Sequence, residues 1–161
     1  MISEYRHTET SPYHISAGGV PYFIDQDGSV KVVIVGESSK GFMRYSLPKG
    51  TLHHYETLED CAKREVLEES GCETKVTGLL GGSTRDYTDG FDGLHTNKTI
   101  IYFALEIISR TSEHDNEYEV VELLDIDEAI LKLIDTRPEK EEYQIIARLK
   151  AFLQSNTDRT S

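Results

Sequence analysis

Apolar residues in this chain gather in short runs parted by polar turns, and the period of each run predicts an element. "HISAGGVPYFIDQDGSVKVVIVGES" reads as a strand, a turn over 25–28 and a second strand over 30–36. In the second strand Val32 and Ile34 share one face while Val33 and Val35 share the other. A strand that is apolar on both faces belongs in the middle of a sheet. "SSKGFMRYSLPKG", with two glycines and a proline, reads as a loop.

A helical period follows. Thr57 is a suitable N-cap, with Asp60 three residues on in a variant of the capping box. Leu58, Cys61, Ala62, Val66 and Leu67 form the predicted core-facing stripe. Gly71 is the predicted left-handed cap. Beyond it come a strand over 75–85 containing "GGS", a long loop "DYTDGFDGLHTN", and a strong strand "KTIIYFALEII". Tyr102 and Phe103 fall on its opposite faces. An acidic loop "RTSEHDNEYE", a short strand "VVELLD" and a helix starting at "IDEAILKLI" complete the pattern, with Pro138 in the first turn of a final helix "PEKEEYQIIARLKAFL". Residues 1–13 and the polar tail from Ser155 are expected to be flexible. With no repeat, the 161 residues predict one domain, a mixed α/β or α+β arrangement with helices packed on a mixed sheet.

Composition narrows the function. A formal charge of −12 argues against a nucleic-acid polymer as partner, because phosphate backbones need a basic surface. It leaves room for a small phosphorylated ligand at a local positive site. No apolar run reaches the roughly 18 residues of a membrane span, and the N-terminus lacks the pattern of a secretory signal, so a cytoplasmic protein is expected. Cys61 and Cys72, eleven residues apart along a helix, would stand about 16 Å apart, too far for a disulfide. They are expected to be reduced, half-buried small apolar residues.

The chemistry concentrates in "KGTLHHYETLEDCAKREVLEESGC". Glu65, Glu68 and Glu69 lie three and four apart, so they are neighbours on one helix side. Like charges at that spacing destabilise a helix by roughly 0.2–0.5 kcal/mol per pair. Two readings follow: a solvated acidic face, the usual fate of a charge run, or a divalent-cation site whose ion removes the repulsion.

The spacing of the three glutamates alone does not decide between them; the wider pattern bears on the choice through what it resembles. Gly50, Glu56, Arg64, Glu65, Glu68, Glu69 and Gly71 stand in the pattern Gly, five residues, Glu, seven residues, Arg-Glu, hydrophobic, any, Glu-Glu, any, Gly, hydrophobic, with Val66 and Cys72 in the hydrophobic places. This resembles the Nudix box, the signature of the Nudix hydrolase family (MutT-like). Seven fixed types match by chance roughly once in 10⁸ starting positions.

The resemblance implies an α/β/α sandwich of the α+β class. It implies that Glu65, Glu68, Glu69 and the Gly50 carbonyl hold Mg²⁺, or Mn²⁺, which activates water against a phosphorus atom. Glu56, Arg64, Glu68 and Glu69 form the implied catalytic set, with Arg64 forked onto Glu56 to orient the carboxylates. The general base is Glu68, Glu69 or an acid of the later loop, where Glu117 or Glu119 could add a ligand. Two departures are plain: Tyr55 stands where the family often has glycine, and Cys72 ends the box. His53 and His54 read as rim residues rather than ligands, since such a site favours oxygen donors.

The flanks bear on the substrate. "PKG" resembles the branch that handles diadenosine polyphosphates and diphosphoinositol polyphosphates. Lys49 would meet a distal phosphate, Lys40 and Arg44 would add positive charge, and Tyr87 would pack on an adenine or its phosphates. The expectation is a pyrophosphohydrolase acting on a dinucleoside polyphosphate such as diadenosine tetraphosphate. The alternatives are a nucleoside triphosphate pyrophosphohydrolase, a diphosphoinositol polyphosphate hydrolase, and a nucleotide-sensing module without turnover.

Overall fold

A computed structural model describes residues 13–88 and 95–160. Its elements are β1 (Tyr13–Ile24), β2 (Val30–Ser39), β3 (Phe42–Ser46), β4 (Lys49–Thr51), α1 (Leu58–Ser70), β5 (Cys72–Thr88), β6 (His95–Arg110), β7 (Val120–Asp125), α2 (Ile126–Thr136) and α3 (Glu142–Thr160). Seven strands form one mixed sheet in the order β3-β2-β1-β6-β5, with β7 paired to β2 and β4 to β1. The β1–β6 pair is parallel and the others are antiparallel. Three helices flank this sheet, which makes the class α+β.

Strand alternation divides the core in two. Val20, Tyr22, Val32, Ile34, Ile100, Tyr102 and Ala104 pack under α2 and α3. Ile15, Ala17, Val33, Phe103 and Leu105 pack under α1 with Cys61, Ala62 and Val66. Val32 to Val35 are all fully buried, as expected of an interior strand covered on both faces. Leu67 differs from expectation: it is 46% exposed, because the helix turns Glu65 and Glu69 inward instead. Cys61 and Cys72 are free and fully buried rather than half-buried.

Three other expectations are corrected. The segment read as a loop is a β-hairpin followed by a short strand. Ser39 pairs with Phe42, and Lys40 and Gly41 between them take φ of 52° and 85°. Two successive positive φ values make the primed turn that matches strand twist. Pro138 opens a short 3₁₀ turn, Pro138–Lys140, which Glu141 ends at φ 57°, so α3 is a separate helix. That helix continues to Thr160, past the tail expected to be flexible from Ser155. Of residues 1–13, expected to be flexible, Tyr13 opens β1 and 1–12 lie outside the described residues. Among the described residues no helix is long and apolar enough to cross a membrane.

Candidate active site

The site is built on α1 and the short strand facing it. Thr57 Oγ1 accepts from the Asp60 amide at 3.1 Å and starts the helix, while Gly71 at φ 75° ends it. A Cβ on Gly71 would meet the Thr111 carbonyl at 2.3 Å, so the cap requires glycine. β4 pairs with β1 in the register Ala17↔Gly50, which lays Gly50 against the inward face of α1. A Cβ on Gly50 would fall 2.1 Å from the Glu65 carboxyl group.

That inward face carries Cys61, Ala62, Glu65, Val66, Glu69 and Ser70. Two of the three clustered carboxylates therefore belong to the packing face. Glu69 is 1% exposed and Glu65 9%, whereas the Glu68 side chain is 47% exposed. A solvated acidic face would not bury two carboxylates, because desolvating each costs several kcal/mol.

Arg64 ties the cluster together. Its Nε and Nη2 fork onto Glu56 at 2.7 and 3.0 Å. Nη1 donates to Glu65 at 2.7 Å and lies 3.4 Å from Glu68, and Nη2 also reaches the Thr51 carbonyl. Glu56 additionally accepts from the His53 amide at 3.0 Å, stapling the loop before the helix. The fork from Arg64 and the His53 bond hold the Glu56 carboxyl at about 2. In that loop Tyr55 takes φ 63°, the left-handed conformation that glycine adopts more easily. Its side chain is 96% exposed, and His53 and His54 are also exposed.

Glu69 is different. Its Oε1 accepts from the Lys49 amide at 3.1 Å, but its Oε2 is buried with no hydrogen-bond partner. Burial, then the charges of Glu117 and Glu65, push its carboxyl up to about 9. Burial likewise raises Glu65, with Glu68 and Glu117 adding to the rise against the pull of Arg64. Glu117 thus lies near enough for its charge to act on the cluster. The acidic loop is pinned there by the Asp115 amide, which donates to the Glu68 carbonyl at 2.7 Å. Glu119 is engaged elsewhere, accepting from the amide and hydroxyl of Ser38 at 2.8 and 2.9 Å.

Among the described residues no three His, Cys, Asp or Glu side chains already converge as a closed metal cage. In this arrangement Arg64 draws Glu65 and Glu68 toward itself. The donors nevertheless fit a hard divalent cation: they are all oxygens, one is a buried orphan, and the Gly50 position has no room for a side chain.

The other expected residues separate. Lys49 bridges the two faces of the sheet, with its amide on Glu69 and its ammonium 3.6 Å from buried Glu142. Lys40 and Arg44 instead line a cleft with Phe42, Met43, Asp135 and Thr136, and Arg44 is paired with Glu139 at 2.7 Å. Tyr87 is placed by its backbone opposite Thr96 in the β5–β6 ladder, and its side chain lies outside the described residues.

Sequence reasoning missed Arg85, Lys98, Arg137 and Lys140, which line a cavity of about 220 Å³ together with Lys49. They come from three separate places in the chain: β5, β6 and the 3₁₀ turn. The one available signal was strand alternation, which sets Lys98 on the same face as Ile100 and Tyr102.

The fold and the box on α1 define a hydrolase-type family, and the comparisons agree. A model of the NUDIX domain matches residues 12–149, and the chain belongs to the NUDIX family. It is 33% identical over 116 residues to a putative mutator protein MutT4 of Mycobacterium tuberculosis (strain CDC 1551 / Oshkosh). That match covers 69% of this chain and 45% of the relative, so the chain spans under half of the relative's length. Among solved structures it resembles a NUDIX hydrolase from Nitrosomonas europaea, with a TM-score of 0.62 at 23% identity, covering 86% of this chain and 88% of that one. It also resembles a C. elegans Ap4A hydrolase binary complex, with a TM-score of 0.61 at 19% identity over 88% and 98% of the chains. The NUDIX domain of Shewanella oneidensis NrtR complexed with ADP ribose gives a TM-score of 0.63 at 14% identity over 86% and 87%. At these identities the structural likenesses establish the fold.

Proposed function

We propose that the chain is a divalent-metal-dependent pyrophosphohydrolase that splits a phosphoanhydride bond in a nucleoside diphosphate-linked substrate, with a dinucleoside polyphosphate such as diadenosine tetraphosphate as the substrate class. The observation that carries this reading is the burial of Glu65 and Glu69 against Gly50, with Glu69 Oε2 left unpartnered. The Gly50 carbonyl, Glu65, Glu68 and Glu69 would hold Mg²⁺ or Mn²⁺, with Glu117 as the further acid in reach. Such a cation, when bound, lowers the pKa of water and neutralises charge on phosphoryl oxygens. Glu68, the most exposed of the three, or Glu69 takes the proton of the attacking water. Arg64 and Glu56 are positioning residues: the fork and the Arg64 bond to the Thr51 carbonyl tie α1 to the short strand that carries Gly50. Lys49 follows Pro48 at the mouth of the site and meets the phosphate chain as a point charge. Tyr87 is a candidate for packing on the nucleoside. Lys40 and Arg44, on the other cleft, stand outside this arrangement.

Product analysis with Mg²⁺ tests it, on a panel of diadenosine tetraphosphate, dATP, ADP-ribose and a diphosphoinositol polyphosphate. ATP plus AMP from the first, with little turnover of the rest, is the expected result. Preference for another compound would keep the metal chemistry and replace the substrate. No turnover of any with Mg²⁺ or Mn²⁺ would overturn the enzyme reading in favour of a sensing module.

A further inference from the structure

The cavity beside Lys49 is out of character for this protein. The chain carries a formal −12, yet Lys49, Arg85, Lys98, Arg137 and Lys140 surround one space against a single carboxylate, Glu142. That carboxylate is already engaged: it accepts from the Leu47 amide at 3.1 Å and from the Tyr102 hydroxyl at 2.8 Å, with Lys49 at 3.6 Å. Lys98 and Lys140 have no carboxylate within ion-pairing distance among the described residues. Arg137 pairs with Glu37 through Nη2, but its Nε–H is buried with no acceptor. Burial, then the charges of Lys49 and Lys140, lowers the Lys98 ammonium. Burial, then Arg85, Lys49 and Arg137, lowers Lys140. Cations packed this way repel one another unless an anion lies among them.

We infer that this cavity is a subsite for a phosphate-rich group, two or more phosphates held together, and that it excludes a nucleobase. The inference rests on the proposed hydrolase reading and specifies how its substrate is held. Size and lining support it. At about 220 Å³ the space is below the roughly 300–1,000 Å³ of a pocket for a whole drug-sized ligand, so it takes part of a substrate. A base needs an aromatic or apolar face to stack on. The cavity's one aromatic among the described residues, Tyr102, has its ring in the core and its hydroxyl on Glu142. Lys49 connects the subsite to the carboxylates on the other face of the sheet. Phosphates held in the cavity would thus lie against the ammonium of the residue whose amide serves Glu69.

The shared chemistry has two sources, a linear polyphosphate chain and a multiply phosphorylated ring. Calorimetric titration in metal-free buffer separates them, using inorganic tripolyphosphate, inositol hexakisphosphate and adenosine as probes. Without divalent cations the readout is independent of turnover. Wild type is expected to bind a polyphosphate probe with an affinity that falls as salt rises. Lys98→Met with Lys140→Met should weaken it by about tenfold or more, while Lys98→Arg with Lys140→Arg retains it. The charge-retaining pair keeps the test decisive if the neutral pair folds poorly. Tighter binding of tripolyphosphate assigns the chain as source, and tighter binding of the hexakisphosphate assigns the ring. Polyphosphate binding unchanged in the neutral pair, or adenosine competing for the site, would overturn the inference. Loss of binding with hydrolysis intact would remove the subsite alone, and binding without any hydrolysis would remove the enzyme reading alone.

Discussion

The ammonium of Lys49 lies 3.6 Å from the carboxylate of Glu142, on the opposite face of the sheet from the carboxylate its own amide serves. One residue thus touches both halves of the site, Glu69 through its backbone and the basic cavity through its side chain. Lys49→Ala keeps the amide and removes the charge. The expected result is a higher KM or lower kcat for substrates of four or more phosphates than for a nucleoside triphosphate. Equal effects on both, measured by steady-state kinetics across chain length, would exclude Lys49 as a reader of chain length.

Tyr102 tests the same junction through stability. Its hydroxyl donates to Glu142 at 2.8 Å in a place where both residues are about 2% exposed. Tyr102→Phe keeps the ring and strands part of a buried charge. A hydrogen bond to a charged group contributes about 2 kcal/mol, so Tm should fall by about 4–8 °C. An unchanged Tm in thermal denaturation would mean that Leu47 and Lys49 satisfy Glu142 by themselves.

What the chain's pattern discloses, and what it hides, follows from these contacts. The ends of α1 were legible because Thr57 and Gly71 carry local cap chemistry, and β7 was legible because "VVELLD" is a compact apolar run between an acidic loop and a capped helix. β3 was hidden by its turn: Lys40 at φ 52° is an unusual residue for a left-handed position, so the segment lacked an Asn-Gly signal. The three glutamates were legible as a cluster, but their burial was not. Nothing local says that Glu65 and Glu69 continue the stripe of Cys61, Ala62 and Val66; that depends on the β1–β4 register bringing Gly50 against them. The basic cavity was hidden for the same reason. Its cations meet only when the β5–β6 ladder sets Arg85 opposite Lys98 and the 3₁₀ turn brings Lys140 beside them.

Glu68 is the carboxylate whose removal should spare the fold, because its side chain is 47% exposed and its contact to Arg64 is a long 3.4 Å. Glu68→Gln removes one negative charge from the proposed cation site. If that charge contributes about 4 kcal/mol to the transition state, kcat/KM falls about a thousandfold with Tm unchanged. Full Mg²⁺-dependent activity in this variant would exclude Glu68 as a ligand or base.

The Glu56–Arg64 fork gives stability a pH dependence of known sign. The folded carboxyl sits at about 2, below the ordinary carboxylate range. Between those values the unfolded chain binds the proton more readily, so the stabilisation is complete above the ordinary range and is lost as pH falls toward about 2. Urea midpoints for wild type and Glu56→Gln should differ most near pH 6 and converge near pH 2.5. A constant difference across that interval would assign the effect of the substitution to the amide's shape and not to the charge.

Lys40 separates a backbone role from a substrate role. Its left-handed φ of 52° strains a long side chain less well suited to that region than asparagine. Lys40→Asn should stabilise the hairpin by about 0.5 kcal/mol, read as a higher urea midpoint. KM for the preferred substrate decides the rest: no change assigns Lys40 to the turn, and a rise assigns its ammonium to the substrate as well.

Gly50 provides the sharpest geometric test. Any Cβ there would sit 2.1 Å from the Glu65 carboxyl carbon, and Glu65 is held on its other side by Arg64 at 2.7 Å. Gly50→Ala must therefore push Glu65 off its position or open the β1–β4 pairing, at about 1–3 kcal/mol. If Gly50 and Glu65 share a cation, Mn²⁺ affinity falls together with stability. Titration of Mn²⁺ by its paramagnetic effect on water relaxation reads the first, and thermal denaturation the second. A destabilised variant that binds Mn²⁺ as tightly as wild type would show that the close approach serves packing alone, and that the cation is held by other oxygens.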